Sequence, residues 1–225
     1  MHTIIVSIGV LAGSSVQKEM PMAANPTITL PHLVLRSLDR GWDYARWETL
    51  PLDGNRYEVL DGVLYMTTSP SNYHQWIDSR LMRLVGFPLE DRGIAYSFIA
   101  PIGLLIPGAQ PAQPDFLLIR HERAEIISAG RIRGVPDLIA EILSPSNPEL
   151  DTATKLGIYT RAGVPEYWIV RPATRDLLLY WEPNRATGTY THEALIAPDS
   201  HLQSTTLPVD FAVAALFDGA PDTTL

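Results

Sequence analysis

The amino-acid sequence predicts one α+β domain, built on a mixed β-sheet flanked by helices. The chain has 225 residues, of which 46% are hydrophobic and 19% are charged, enough for one well-buried core and too few for two. Apolar runs of strand length recur, separated by proline and glycine. Two longer segments, 73–89 and 149–162, space their apolar residues as amphipathic helices do. Strands on both sides of two helices indicate a mixed α+β fold.

The chain divides into a leader at 1–26, a single domain at 27–215 and a C-terminal tail at 216–225. The leader is either flexible or follows from a misassigned start, with Met20 as one candidate for the true beginning. A secretory signal is the alternative, but the apolar run 3–12 has no basic start before it. No other segment is apolar enough to span a membrane, and the chain has no cysteine. We therefore expect a cytoplasmic protein with no membrane partner.

The first predicted element is a β-hairpin. Runs 56–60 and 63–67 nearly alternate between apolar and polar residues, and the Asp61-Gly62 pair between them is a strong hairpin signal. The helix at 73–89 follows, because its apolar residues fall near helical spacing with a polar face opposite. Those residues are Trp76, Ile77, Leu81, Leu84 and Val85.

The remaining strands lie on either side of the second helix. Before it, the apolar runs that should build the sheet are 94–99, 102–106, 115–119 and 138–143. The helix at 149–162 ends at Gly163, a typical C-terminal stop. After it we predict two paired strands and a third at the sheet edge, at 166–170, 176–181 and 190–197.

Two carboxylates lie in apolar runs where burying a charge is costly unless something compensates it. Asp115 follows a proline at the start of one strand, and Glu141 lies inside another. A divalent ion, magnesium or manganese, is the simplest compensation, and the nearby Lys155 could stabilise charge at phosphorus, which is the chemistry of phosphodiester hydrolysis. Two alternatives stay open: Asp115 as an ordinary turn residue, and Lys155 in a solvated ion pair with Asp151 four residues earlier.

Four other polar residues have both a structural and a functional interpretation. Glu58 is either an outward-facing strand residue or part of the site, with no preference between them. For His74, a structural role at the start of a helix is favoured over a role as a phosphate contact or proton carrier. For Tyr159, a packing role is favoured over one in positioning Lys155. Asp137 follows a proline and is interpreted as a strand-entry residue.

The overall charge weighs against a surface that attracts nucleic acid non-specifically. The net charge is −8, whereas phosphate binding normally draws on clustered lysine and arginine. Arginines in the middle of the chain could still form a local patch. The six histidines include no pair at helical ligand spacing, so any metal would be held mostly by oxygen.

Five motifs together resemble the Uma2 family of restriction endonucleases, within the PD-(D/E)XK nuclease superfamily. The resemblance covers roughly residues 42–181, and each motif is weak alone whereas their order and spacing are specific. It implies a restriction-endonuclease-like fold and a magnesium-dependent or manganese-dependent endodeoxyribonuclease with DNA as its partner. The motifs are 57–62 (Tyr-Glu-Val-Leu-Asp-Gly), 114–115 (Pro-Asp), 136–145 (Pro-Asp-Leu-Ile-Ala-Glu-Ile-Leu-Ser-Pro), 151–159 with its lysine and tyrosine, and 162–168 (Ala-Gly-Val-Pro-Glu-Tyr-Trp).

The resemblance also implies roles for single residues. Asp115 matches the metal-binding aspartate and Glu141 the second acidic position. Leu143 stands where a usual member has lysine, so Lys155 on the following helix is the candidate for a migrated catalytic lysine. Glu58 matches an acidic residue on the first element that would complete the metal shell.

Two further expectations concern what the protein is and how it assembles. A non-catalytic binding or regulatory module with the nuclease fold is the alternative to an enzyme, and the acidic composition favours it slightly. We also expect a homodimer, because a duplex offers two antiparallel backbones and two-fold pairing is the commonest symmetry of oligomers.

Overall fold

The computed structural model describes most of the predicted domain. The leader lies outside the described residues except for a short strand at 4–6, and so does the end of the tail, 221–225. The described residues are 4–6, 34–51, 53, 55–67, 69–106, 111–128, 130–144 and 150–220.

Strands account for most of the regular structure. In chain order they are β1 Ile4–Val6, β2 Val34–Ser37, β3 Arg56–Leu60, β4 Val63–Thr67, β5 Ala95–Ile99, β6 Leu104–Leu105, β7 Phe116–Arg120, β8 Ile127–Ser128, β9 Arg131–Arg133, β10 Leu138–Ile142, β11 Glu166–Arg171, β12 Asp176–Asn184, β13 Thr189–Ile196, β14 His201–Gln203 and β15 Asp210–Ala212.

The helices are short, and one of them is followed, another preceded, by a π-helical segment. The α-helices are α1 Tyr44–Glu48, α2 Asn72–Leu81, α3 Phe87–Asp91 and α4 Leu156–Ala162. Two π-helical segments are Met82–Gly86, which joins α2 to α3, and Leu150–Lys155, which leads into α4. Two 3₁₀ segments are His121–Ile126 and Val213–Leu216. None of the helices in the described ranges has the length and apolar character needed to cross a membrane.

A six-stranded mixed sheet forms the centre of the molecule, as predicted. Its order is β13-β12-β11-β10-β7-β5. All neighbours are antiparallel except β10 and β11, which run parallel. A parallel pair requires a crossover connection, and here the helical segment 150–162 supplies it. The predicted stop at Gly163 is confirmed, because this residue adopts the left-handed conformation with φ of 84°.

The two faces of this sheet carry two hydrophobic cores. Along β10, Leu138, Ala140 and Ile142 pack with α2 on one face, whereas Ile139 faces the other core. Side chains alternate between faces along a strand, so Glu141 points to the same side as Ile139. Leu216 and Phe217 are buried in the first core, so packed structure continues beyond residue 215.

The predicted hairpin belongs to a second sheet, with order β1-β2-β4-β3. Asp61 and Gly62 both have positive φ, of 48° and 77°, which is what a two-residue hairpin turn requires. Arg56 and Glu58 are two residues apart on β3 and therefore share one face. The backbone N–H of Val59 donates to the carbonyl of Pro111 at 2.8 Å, which ties this sheet to the segment before β7.

One predicted strand has a different place. The run 102–106 was expected in the main sheet, but only Leu104–Leu105 is a strand, and it pairs with β9 in a three-stranded sheet. Pro101, which has no N–H to donate, precedes it, and Leu104 exchanges hydrogen bonds with Ala112 instead. The predicted helix 73–89 is confirmed and is longer, since helical structure runs from 72 to 91.

Candidate active site

A cavity of about 800 Å³ opens between the hairpin sheet and the central sheet. Glu48 and Arg131 form one ion pair on its wall, at 3.3 Å. A second, buried group of ionisable side chains comes from five segments: Arg56 and Glu58 from β3, His74 and Asp78 from α2, Asp115 from the entrance to β7, Glu141 from β10, and Asp151 and Lys155 from the crossover. Burial removes the carboxylates almost completely from solvent, so each needs a partner.

Asp115 lies at the entrance to β7 and is only 2% exposed. Its Oδ2 accepts a hydrogen bond from the backbone N–H of Ile142 at 2.8 Å, which holds it beside the end of β10. Burial raises the pKa of Asp115, but Arg56 and His74 outweigh burial and hold this pKa well below its usual value. Asp115 is therefore an ionised carboxylate next to Glu141, as the two strand positions predict.

Lys155 and Glu141 form the most buried ion pair of the site. Lys155 Nζ lies 2.9 Å from Glu141 Oε1, and the two residues are 2% and 1% exposed. Burial lowers the pKa of Lys155, but Glu141 and its other carboxylate neighbours raise it above the usual value. Burial raises the pKa of Glu141, and the nearby lysine opposes that change.

Lys155, and not residue 143, supplies the positive charge beside the carboxylates. Leu143 packs against the second core, and Lys155 reaches the carboxylates from the crossover. The alternative ion pair with Asp151 is present at 3.4 Å, but both side chains are buried and face the cavity. Burial raises the pKa of Asp151 to about 6.

Glu58 points into the cavity and not outward from the hairpin. It is 2% exposed, its Oε1 accepts a hydrogen bond from the N–H of Gln113 at 2.8 Å, and its Oε2 lies 3.4 Å from Lys155 Nζ. The structural alternative of a surface strand residue is therefore wrong for Glu58. The hairpin sheet supplies a third carboxylate beside Asp115 and Glu141.

Arg56 is a site residue that the sequence reasoning did not identify. Its Nη1 lies 2.5 Å from Asp115 Oδ1, and its Nη2 lies 3.7 Å from Glu58 and 3.6 Å from Glu141. The guanidinium also donates to the carbonyl of Gln113. Burial lowers the pKa of Arg56, but the three carboxylates raise it well above its usual value. Its spacing of two residues from Glu58 on one strand was the available signal.

His74 joins the site although its position at the start of α2 was predicted correctly. Ser71 caps this helix by accepting the N–H of His74, and the imidazole turns inward. Nε2 lies 3.2 Å from Asp115 Oδ2, and Nδ1 lies 3.2 Å from Asp78 Oδ2. Burial lowers the pKa of His74, but the two aspartates raise it to about 10. The spacing of four residues between His74 and Asp78 was the signal for this pair.

Tyr159 and Asp137 have clear but different positions. The hydroxyl of Tyr159 donates to Glu141 Oε1 at 2.9 Å, so this residue both packs in the core and orients a site carboxylate. Asp137 is a strand-entry residue, as predicted, and does not line the cavity. Its carboxylate accepts from the N–H of Arg120 at 2.9 Å and from Arg123 Nη1 at 2.7 Å.

The chemistry of the donors fits a divalent cation. The buried group contains five carboxylates and three cations, with His74 counted as charged because its pKa is raised, so its formal excess is two negative charges. Oxygen ligands are what magnesium and manganese prefer. Across the described ranges, however, no three histidine or carboxylate side chains come together as a ready metal site. The guanidinium of Arg56 lies among the candidate ligands.

Comparisons with known proteins agree with the resemblance in the sequence. The Uma2 family model, described as "Putative restriction endonuclease", matches residues 43–216. A crystal structure from Anabaena variabilis, titled a "putative nuclease belonging to DUF820", aligns with a TM-score of 0.66 and 18% identity. The alignment covers 78% of this chain and 97% of that one. No curated protein matches in sequence. The structural likeness establishes the restriction-endonuclease-like fold.

Proposed function

We propose that this chain, which belongs to the Uma2 family, uses a divalent metal to hydrolyse phosphodiester bonds in DNA. The observation that carries the proposal is the group of buried carboxylates facing one cavity with Lys155 among them. Ionisable groups in a cleft whose pKa values are shifted by burial and by neighbouring charges are typical of functional sites. The family supports a nuclease in general, and the metal and the DNA substrate are parts of our proposal.

Asp115, Glu141 and Glu58 are the residues that would hold magnesium or manganese. All three are acidic, buried and turned to the cavity, and the second core closes the site from behind. When bound, the metal supplies Lewis-acid stabilisation of the charge that develops at phosphorus. The protein contributes the fixed positions of these carboxylates, since Ile142 and Gln113 hold two of them through backbone N–H groups.

Lys155 is the proposed catalytic cation of the chain itself. Its raised pKa keeps the ammonium charged at neutral pH, and Glu141 fixes it on the cavity wall. A positive group held there before the reaction stabilises negative charge on the phosphoryl oxygens without reorganising in the transition state. Tyr159 supports this arrangement because its hydroxyl donates to the same Oε1 of Glu141 that Lys155 contacts.

A plasmid-nicking assay with magnesium or manganese tests the proposal. We expect the wild-type chain to convert supercoiled DNA to open-circular or linear forms. We expect Asp115→Asn, Glu141→Gln and Lys155→Met each to lose at least about tenfold in rate, since groups that only support metal ligands already contribute about 10–100-fold. Asp137→Asn is the matched control, because it removes a buried strand-entry carboxylate outside the cavity. All variants are first checked for folding by circular dichroism.

The same assay decides between the enzyme and the non-catalytic module. The net charge of −8 favours the module, because it weakens general attraction to DNA. No cleavage by wild-type protein, together with no metal binding by calorimetry, would contradict the enzyme. Cleavage that survives all three site substitutions would contradict the assigned residues, since the activity would then come from elsewhere or from a contaminant.

A homodimer remains part of the proposal for an enzyme that cuts both strands of a duplex. Two copies related by a two-fold axis would present one site to each backbone. Sedimentation velocity across a concentration series, with and without duplex DNA, measures this directly. A strictly monomeric protein in both conditions would instead predict single-strand nicks as the product.

A further inference from the structure

The guanidinium of Arg56 holds the central position among the proposed metal ligands. It lies 2.5 Å from Asp115, 3.7 Å from Glu58 and 3.6 Å from Glu141, measured between nitrogen and carboxylate oxygen. Lys155, by contrast, pairs with Glu141, Glu58 and Asp151 from the side of the crossover. Arg56 therefore forms ion pairs with all three candidate ligands, whereas the ion pairs of Lys155 include only two of them, Glu58 and Glu141.

We propose that Arg56 is a built-in counterion of the metal-free protein, which occupies the divalent cation's place among Asp115, Glu58 and Glu141 and leaves it when the metal binds. The inference rests on the proposed function, since it concerns the same metal site. It explains why three carboxylates face one cavity while no ready metal site is formed in the described ranges.

The position of Arg56 allows it to leave. Its side chain is 22% exposed to solvent, whereas the side chains of the carboxylates that it contacts are 1–3% exposed. The residue lines the cavity, so its side chain borders open space. Its Nε is buried without a hydrogen-bond partner among the described residues, so the present position leaves one donor unsatisfied.

A second arginine in the chain shows what a purely structural version of this contact looks like. Arg123 binds the carboxylate of Asp137 at 2.7 Å and the carbonyl of Val135 at 2.7 Å. Arg56 binds the carboxylate of Asp115 and the carbonyl of Gln113 in the same way, also across a proline. Only Arg56 has further carboxylates beside it in a cavity, so Arg123 is a matched control.

The test is calorimetric titration of manganese into wild-type protein, Arg56→Gln and the control Arg123→Gln, without DNA. If Arg56 leaves the metal site free in about 10% of wild-type molecules, removing its guanidinium tightens the apparent affinity for manganese about tenfold. We expect that gain in Arg56→Gln and unchanged affinity in Arg123→Gln. We also expect manganese to raise the melting temperature of Arg56→Gln more than that of wild type, because only the variant lacks its own counterion.

Three results would overturn the inference, and they are distinguishable from one another. Equal or weaker manganese binding by Arg56→Gln, with binding still lost in Asp115→Asn, keeps the metal site and removes the competition. A gain of the same size in Arg123→Gln shows a general charge effect. No binding by any protein removes both the competition and the metal part of the proposed function.

A measurement on the wild-type chain covers the case in which Arg56→Gln does not fold. Nitrogen-15 NMR of arginine side chains detects a guanidinium held by carboxylates through its slowly exchanging protons, and the conservative variant Arg56→Lys assigns the signal. Manganese is replaced by diamagnetic magnesium for this experiment. We expect the Arg56 signal to lose its protection as magnesium is added, while that of Arg123 stays unchanged. An Arg56 signal that keeps its protection at saturating magnesium would overturn the inference.

Discussion

Replacing Lys155 with methionine tests whether this ammonium is the counterion of the buried carboxylates. The substitution keeps an apolar stem of similar length and removes only the charge. Glu141, Glu58 and Asp151 lie 2.9, 3.4 and 3.4 Å from Nζ, and all are buried. Breaking a buried ion pair by removing one partner costs about 3–5 kcal/mol. For a chain of this size, that lowers the melting temperature by about 6–20 °C.

The assay is urea unfolding in chelator-containing buffer, followed by tryptophan fluorescence and circular dichroism. Arg161→Met is the control, because it breaks an exposed pair with Asp61 at 3.1 Å and should cost about 1 kcal/mol or less. The double variant Lys155→Met/Glu141→Gln should be more stable than Lys155→Met alone, since it also removes one uncompensated charge.

Two results would refute the reasoning about Lys155. A loss no larger than that of the Arg161 control would show that the carboxylates do not depend on this ammonium. Strict additivity in the double variant would show that Glu141 and Lys155 are not energetically coupled, despite the short distance between them.

Three further substitutions should change stability through single, named contacts, each measured by urea unfolding. Glu166→Gln should cost about 2–3 kcal/mol, because Oε2 accepts hydrogen bonds from the hydroxyls of 204–206 and from the amides of 205 and 206, and metal affinity should stay unchanged. Gly62→Ala should cost more than about 1 kcal/mol, because φ is 77° and the new Cβ would clash with the carbonyl of Arg40. Tyr159→Phe should cost about 1 kcal/mol, since it removes one hydrogen bond to Glu141 and keeps the ring. Wild-type stability in any of them would show that the contact concerned contributes nothing.

Local patterns predicted most of the central sheet, because a strand that is buried on both faces reads as an apolar run. They could not say which sheet a short strand joins, and Leu104–Leu105 was placed wrongly for that reason. The hairpin was predictable because its turn conformation depends on two adjacent residues, Asp61 and Gly62.

The site was predictable where a charge interrupts an apolar run, as at Asp115 and Glu141. Arg56 was missed because its partner Asp115 is 59 residues away, and only the docking of two sheets brings them together. His74 and Asp78 carry a helical spacing that is common on solvated surfaces, so the pattern alone favours the structural interpretation. Lys155 was proposed because it follows the two carboxylates closely in sequence, and its role as a migrated lysine came from the family resemblance, since no periodicity relates a helix to the end of a preceding strand.

The charged cavity wall also bears on how this protein could be engineered. Apolar replacements for buried ion pairs are often neutral or stabilising, by about 1–4 kcal/mol. A selection for heat resistance alone should therefore accumulate paired hydrophobic substitutions at Arg56 with Asp115 or Lys155 with Glu141. Those same variants would lose the proposed chemistry, so a trade-off between thermostability and activity is built into the arrangement of these side chains.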